Sequence, residues 1–192
     1  MGKKVLGILG SPRKNGNTAR LLKEVLRAAE SAGNQVKLVN LYELNIKYCL
    51  GCMSCRSQGG CAIKDDIVSL ANEIISSDVV VLSAPTYWAN VPAIVKNMFD
   101  RMAGYMMEDV KGGLPKPLLS KKQGYILITA CTTPFPFNLI FRQSSGTLTA
   151  MNEFFKTSGM KKKGVLTLTN TRARSDVPRS LLARAEKLGK AI

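Results

Sequence analysis

Two clusters in this 192-residue sequence hold residue types able to do chemistry. The first is Gly10-Ser11-Pro12-Arg13-Lys14-Asn15-Gly16-Asn17-Thr18, which follows the apolar run Leu6-Gly7-Ile8-Leu9 and leads into an amphipathic helical pattern. A helix start exposes unpaired backbone N–H groups and the positive end of the helix dipole, so a phosphate monoester placed there meets several donors at once. Ser11, Asn15, Gly16, Asn17 and Thr18 are the candidate contacts, and Arg13 can neutralise charge. The second cluster is Cys49-x2-Cys52-x2-Cys55-x5-Cys61. Three cysteines at three-residue steps can point toward one centre, and a fourth beyond Gly59-Gly60 can close a tetrahedral set of thiolates. A cluster, a zinc ion and free or paired redox thiols all remain open for these four residues.

Spacing narrows the phosphate. A triphosphate loop reads G-x-x-x-x-G-K-[ST], whereas Gly10 and Gly16 enclose five residues and are followed by Asn17-Thr18 without a lysine. A dinucleotide fold needs G-x-G-x-x-G after its first strand and an acidic residue ending the second, and here that position is Asn40. What remains is a single terminal phosphate such as that of FMN.

The elements that must position these loops alternate. Short apolar runs at 5–9, 36–39, 79–83, 125–129 and 165–168 read as strands buried on both faces. Between them lie helical stripes: Leu21, Leu22, Val25, Leu26 and Ala29; Ile67, Leu70, Ile74 and Ile75; Ile94, Val95, Met98, Phe99 and Met102; Leu148, Met151, Phe154 and Phe155; Leu181, Leu182, Ala185 and Leu188. Five βα units with right-handed crossovers predict a flavodoxin-like, doubly wound five-stranded parallel α/β sheet of order 2-1-3-4-5. Its ligand site falls at the carboxyl ends of strands 1 and 3. Residues 1–192 read as one such FMN-binding domain.

That topology makes a demand on the loop after strand 3, Ala84-Pro85-Thr86-Tyr87-Trp88-Ala89-Asn90-Val91-Pro92. A flat isoalloxazine ring needs an apolar or aromatic wall with fixed donors at its edge, and this loop can offer both. The loop after strand 4 supplies hydroxyls, Thr132 and Thr133 among them, with Phe135, Phe137 and Phe141 able to shape a substrate pocket or a subunit contact.

Residues 10–18, 84–93 and Lys96-Asn97-Met98-Phe99-Asp100-Arg101 resemble the signature segments of the NADPH-dependent FMN reductase family of flavodoxin-like proteins. The resemblance implies that Ser11, Arg13, Asn15, Asn17 and Thr18 hold the FMN phosphate. It also implies that Pro85, Thr86, Tyr87, Trp88, Ala89 and Asn90 lie along the ring, and that the chain forms a homodimer or homotetramer. The cysteine spacing is similar to that of iron-sulfur flavoproteins, a branch of this family with a [4Fe-4S] cluster beside FMN, which would make Cys49, Cys52, Cys55 and Cys61 the ligands. The expected activity is oxidoreduction, with NAD(P)H as donor and a quinone, flavin or protein as acceptor. The alternative is an electron carrier holding FMN and a [4Fe-4S] cluster.

Composition sets limits. The chain has no histidine, so Ser-His-Asp and histidine-base catalysis are excluded and no catalytic side chain is assigned. Backbone N–H groups of the loops at 85–90 and 129–134 are expected to stabilise charge on the reduced ring. With 28 Lys+Arg against 13 Asp+Glu the net charge is +15, but the basic residues are interleaved with helix faces. That pattern suits anionic cofactors or acidic redox partners more than nucleic acid. No apolar segment approaches the roughly 20 residues of a membrane span, and a cytoplasmic protein is expected.

Overall fold

The computed structural model describes residues 2–174 and 176–192. Five parallel strands form the sheet: β1 (Lys4–Leu9), β2 (Gln35–Asn40), β3 (Val79–Pro85), β4 (Gly124–Ala130) and β5 (Lys161–Leu168). Their order is β2-β1-β3-β4-β5, which is the predicted flavodoxin-like arrangement. A second ladder of two short antiparallel segments, Met107–Glu108 with Lys116–Pro117, lies apart from it.

Side chains alternate across the pleat, so each strand feeds two cores. Leu6, Ile8, Val80, Leu82, Tyr125 and Leu127 face α2 (Ile67–Ser76), α3 (Ala93–Arg101) and α4 (Gln143–Thr157). Val5, Leu9, Val79, Val81, Ile126, Ile128, Leu166 and Leu168 face α1 (Asn17–Ser31) and α5 (Arg179–Lys190).

Three packing expectations differ in detail. β2 is an edge strand, so Leu38 is half-exposed rather than buried on both faces. Ile75 closes no stripe; it is 43% exposed because the face of α2 toward the sheet is filled by Ile67, Leu70, Ala71 and Ile74. In α4 the buried line is Ser144, Thr147, Met151 and Phe155, while Leu148 and Phe154 sit at the margin. The two polar members of that line are explained by the loop they hold.

Candidate functional site

β1 ends in the phosphate-type loop at 10–16, and α1 begins at Asn17 with Gly16 before it. Among the described residues no side chain caps this helix, so its first-turn N–H groups have no side-chain acceptor. The loop is held from below by Ser83 at the end of β3. Gly10 N–H donates to the Ser83 carbonyl at 2.8 Å, and Ser83 Oγ donates to the Thr18 carbonyl at 2.9 Å. Within the loop, Arg13 N–H donates to Oγ of the buried Ser11 at 3.2 Å, and Gly16 N–H to the Arg13 carbonyl at 3.0 Å. Lys23 Nζ closes the outer side on the Lys14 carbonyl and Asn15 Oδ1.

The loop after β3 is a tight hairpin. Tyr87 and Asn90 exchange backbone hydrogen bonds of 2.9 and 3.0 Å around Trp88 and Ala89, both at positive φ (52° and 58°). Positive φ at both tip residues is the geometry of the mirror-image turns that close two-residue hairpins. Trp88 is thereby carried into solvent, 98% exposed. A hydroxyl network anchors the loop: Thr147 Oγ1 donates to the Asn90 carbonyl (3.1 Å) and lies 3.0 Å from Thr86 Oγ1, which in turn meets Thr129 Oγ1 at 3.2 Å. Gly146 permits this approach, because a Cβ there would stand 2.0 Å from the Ala89 carbonyl oxygen.

These loops enclose a cavity of about 500 Å³. Of the predicted residues it gathers Ser11, Arg13, Asn15, Gly16, Asn17, Thr18, Pro85, Thr86, Tyr87 and Thr132. Trp88 and Ala89 are outside its lining, Asn90 faces a neighbouring groove beside Phe99 and Phe154, and Thr133 lines an adjoining cleft with Asn170 and Arg172.

Sequence reasoning missed Arg20, Thr171 and Arg174 on the wall. Thr171 and Arg174 belong to the β5–α5 loop, whose place at the carboxyl end of the sheet was already implied by the strand order. The loop is zipped to the β4 loop by Asn170 N–H to the Thr133 carbonyl and Thr171 N–H to the Cys131 carbonyl, both 3.2 Å. Cys131 is buried against the cavity, and that burial pushes its thiol pKa up.

One expectation about donors needs correction. The N–H groups of Thr86, Tyr87, Asn90 and Cys131 are already bonded to carbonyls within the protein. Among the described residues those of Trp88, Ala89, Thr132 and Thr133 have no protein acceptor, so only these can serve a ligand.

The cysteine loop is pinned at both ends from α3. Asn97 accepts from Cys49 N–H at 3.3 Å and donates to the carbonyls of Ile46 and Lys47. One turn on, the fully buried Arg101 spends its N–H groups on five contacts: Cys61 Sγ (3.1 Å), the carbonyls of Lys47 (2.5 Å) and Ile63 (3.1 Å), and both oxygens of Asp65 (2.9 Å each). Burial alone would push the Asp65 carboxyl pKa up. The hydrogen bonds from Arg101 and from the N–H groups of Lys47 and Ile67 outweigh it and hold the pKa below the usual carboxylate value.

Cys49, Cys52, Cys55 and Cys61 all line one largely apolar cavity of about 240 Å³. Cys52 is exposed, and its thiol pKa is lowered by a hydrogen bond from Ser54 Oγ. Cys55 rests directly on Gly104, where an added Cβ would stand 2.7 Å from the Cys55 Cβ. Among the described residues no three Cys, Asp or Glu side chains are drawn close enough to grip a metal ion together. Four thiols on one cavity nevertheless match the donor chemistry of an iron-sulfur centre. Among the described residues no helix is long and apolar enough to cross a membrane.

A family model described as NADPH-dependent FMN reductase matches residues 3–132. An iron-sulfur flavoprotein of Archaeoglobus fulgidus is 41% identical over 102 residues, 53% of this chain and 46% of that protein. One from Methanosarcina thermophila is 34% identical over 98 residues, covering 51% of each. The matched part thus spans about half the length of these relatives. The fold is similar to an NAD(P)H:quinone oxidoreductase from Methanothermobacter marburgensis, with TM-score 0.77, 15% identity and coverage of 99% of this chain and 98% of that one. It is also similar to an FMN-dependent NADH-azoreductase from Bacillus anthracis solved with FMN, with TM-score 0.71, 16% identity and coverage of 100% and 97%.

Proposed function

The chain belongs to the NADPH-dependent FMN reductase family, and from that premise we propose that it is a single-domain FMN-dependent NAD(P)H oxidoreductase. The carrying observation is the convergence of residues 11–18, 85–87 and 130–132 on one cavity beside an uncapped helix start. In this reading the FMN phosphate rests on the first-turn N–H groups of α1, with Ser11, Asn15, Gly16, Asn17 and Thr18 around it and Arg13 balancing its charge. Pro85, Thr86 and Tyr87 lie along the ring, and the hairpin tip of Trp88, Ala89 and Asn90 forms its rim.

Bound FMN supplies the redox chemistry, accepting hydride from NAD(P)H and returning electrons to a quinone, flavin or protein acceptor. The chain contributes binding, orientation and electrostatics. In this reading the N–H groups of Trp88, Ala89, Thr132 and Thr133, which have no protein acceptor among the described residues, offset negative charge at the ring edge, a task that needs no acid–base side chain. The exposed Trp88, Phe135, Phe137, Ile140 and Phe141, on the loops after β3 and β4, suit contact with a second copy, in a homodimer or homotetramer.

The test is FMN titration of wild type and of the double variant Arg13→Ala with Asn17→Ala, followed by steady-state NADPH oxidation. The variant should retain FMN far less well. Equal affinity in the two proteins removes the phosphate-loop assignment.

A second reading is supported by the four cysteines on one cavity and by the names of the relatives: FMN joined by a [4Fe-4S] cluster on Cys49, Cys52, Cys55 and Cys61, in an electron carrier. A carrier oxidises no NAD(P)H without a partner reductase. Protein purified without oxygen and reconstituted with iron and sulfide should show the broad thiolate-to-iron absorption.

A further inference from the structure

Arg101 is the largest fully buried side chain, and one of its five contacts is unusual. Four go to oxygen, from Asp65 and two carbonyls, and use both terminal nitrogens. The fifth N–H, on Nε, points at Cys61 Sγ from 3.1 Å. Cys61 is the thiol farthest along the sequence from the other three, and it lies where the loop returns to α2.

We propose that Arg101 is the positioning residue of the cysteine site: it fixes Cys61 as a ligand through the Nε–H to Sγ hydrogen bond and raises the reduction potential of a [4Fe-4S] cluster held there. This inference rests on the cluster reading above. A hydrogen bond and a positive charge at a ligand sulfur favour the more negative, reduced state of such a centre. The other charges at this cavity are Arg56, Asp100 and Asp109 on its lining and Asp65 behind Arg101. Arg56 and Lys96 pair with Asp109 and Asp100 respectively, so among the described residues Arg101 is the cation hydrogen-bonded to a cysteine sulfur. Asp65 orients the guanidinium, since its two oxygens take both terminal nitrogens and leave Nε directed at the sulfur.

The experiment is an EPR-monitored potential titration of anaerobically reconstituted protein, with dithionite supplying the one electron and no bond made or broken. Arg101→Lys keeps the charge but cannot hold Asp65 and donate to Cys61 together, so its midpoint should move to lower potential. Arg56→Lys, at the other arginine on the cavity, which pairs with Asp109 rather than with a cysteine sulfur, should leave the midpoint where it is. An unchanged midpoint in Arg101→Lys, or an equal shift in Arg56→Lys, overturns the proposal, because a merely structural arginine has no reason to separate them.

Should Arg101→Lys fail to fold, the reduced cluster in protein carrying ¹⁵N-labelled arginine, with Arg56→Lys to remove the other arginine on the cavity, should show weak coupling to an arginine nitrogen. No coupling also overturns the proposal. Wild type that retains FMN but takes up no iron and sulfide defeats the cluster reading and this inference together. A loaded cluster with an indifferent Arg101 defeats the inference alone.

Discussion

The phosphate-type loop and the cysteine loop leave adjacent strands, β1 and β2, at the same end of the sheet, yet they are secured by opposite means. Residues 10–18 are built from backbone groups at the end of a strand buried on both faces, with Ser83 from the next strand bonded at both ends of the loop. Residues 49–61 follow an edge strand and are held at entry and exit by two side chains of α3, Asn97 and Arg101, while the middle only rests on residues 104–109 through Cys55 and an exposed Arg56–Asp109 pair. At the first site the backbone is therefore held by the sheet itself. At the second, the thiols share a cavity without converging. Backbone donors at strand ends inherit the rigidity of the sheet, whereas side-chain ligands on a loop are only as ordered as their anchors.

The sharpest way to break this contrast is Arg101→Met. It would leave Asp65, whose side chain is 3% exposed, as a buried carboxylate without its partner, and removing one member of such a pair costs about 3–5 kcal/mol. Urea unfolding should report that loss, with the FMN site intact in the remaining folded protein. A loss below 1 kcal/mol, roughly the worth of an exposed pair, would mean that the cysteine loop does not depend on α3.

Gly146→Ala probes the other anchor. The new Cβ would press on the Ala89 carbonyl, backbone against a packed helix, and overpacking of this kind costs about 1–3 kcal/mol. FMN affinity should fall in the same variant, because the hairpin at 87–90 is displaced. The smallest expected effect is Gly104→Ala, where the Cys55 carbonyl oxygen would stand 2.6 Å from the new Cβ but belongs to a short exposed segment that can shift, so stability should fall by about 1 kcal/mol, the low end of overpacking costs, with FMN affinity unchanged. If Gly104→Ala proved as costly as Gly146→Ala, the two loops would be equally rigid.

Much of the first site was legible because its signals are local. The apolar runs, the glycine spacing and the hydroxyl residues at 11–18 all act within one βα unit, and the five-fold alternation places the loops after strands 1, 3 and 4 together. Trp88 shows where such reading ends. An aromatic residue in such a loop suggests a ring wall, and nothing local shows that positive φ at the hairpin tip leaves its side chain exposed, a geometry held by Thr147 and Gly146 some sixty residues away. Arg101 was visible as part of a signature segment, but nothing local announces that it is buried. Its five contacts come from residues 47, 61, 63 and 65, which only the packing of α3 on that loop brings within reach.

The sequence by itself determined the fold, the phosphate-type loop and the inventory of thiols, since hydrophobic period, helix-start chemistry and cysteine spacing are properties of neighbouring residues. Only the tertiary structure decided which donors of the loops after β3 and β4 are left without a protein acceptor among the described residues, that the β5–α5 loop joins the cavity wall, and that a buried arginine holds one cysteine of four. Those depend on hydrogen bonds between residues far apart in the chain, and a buried donor takes whichever acceptor the fold sets before it.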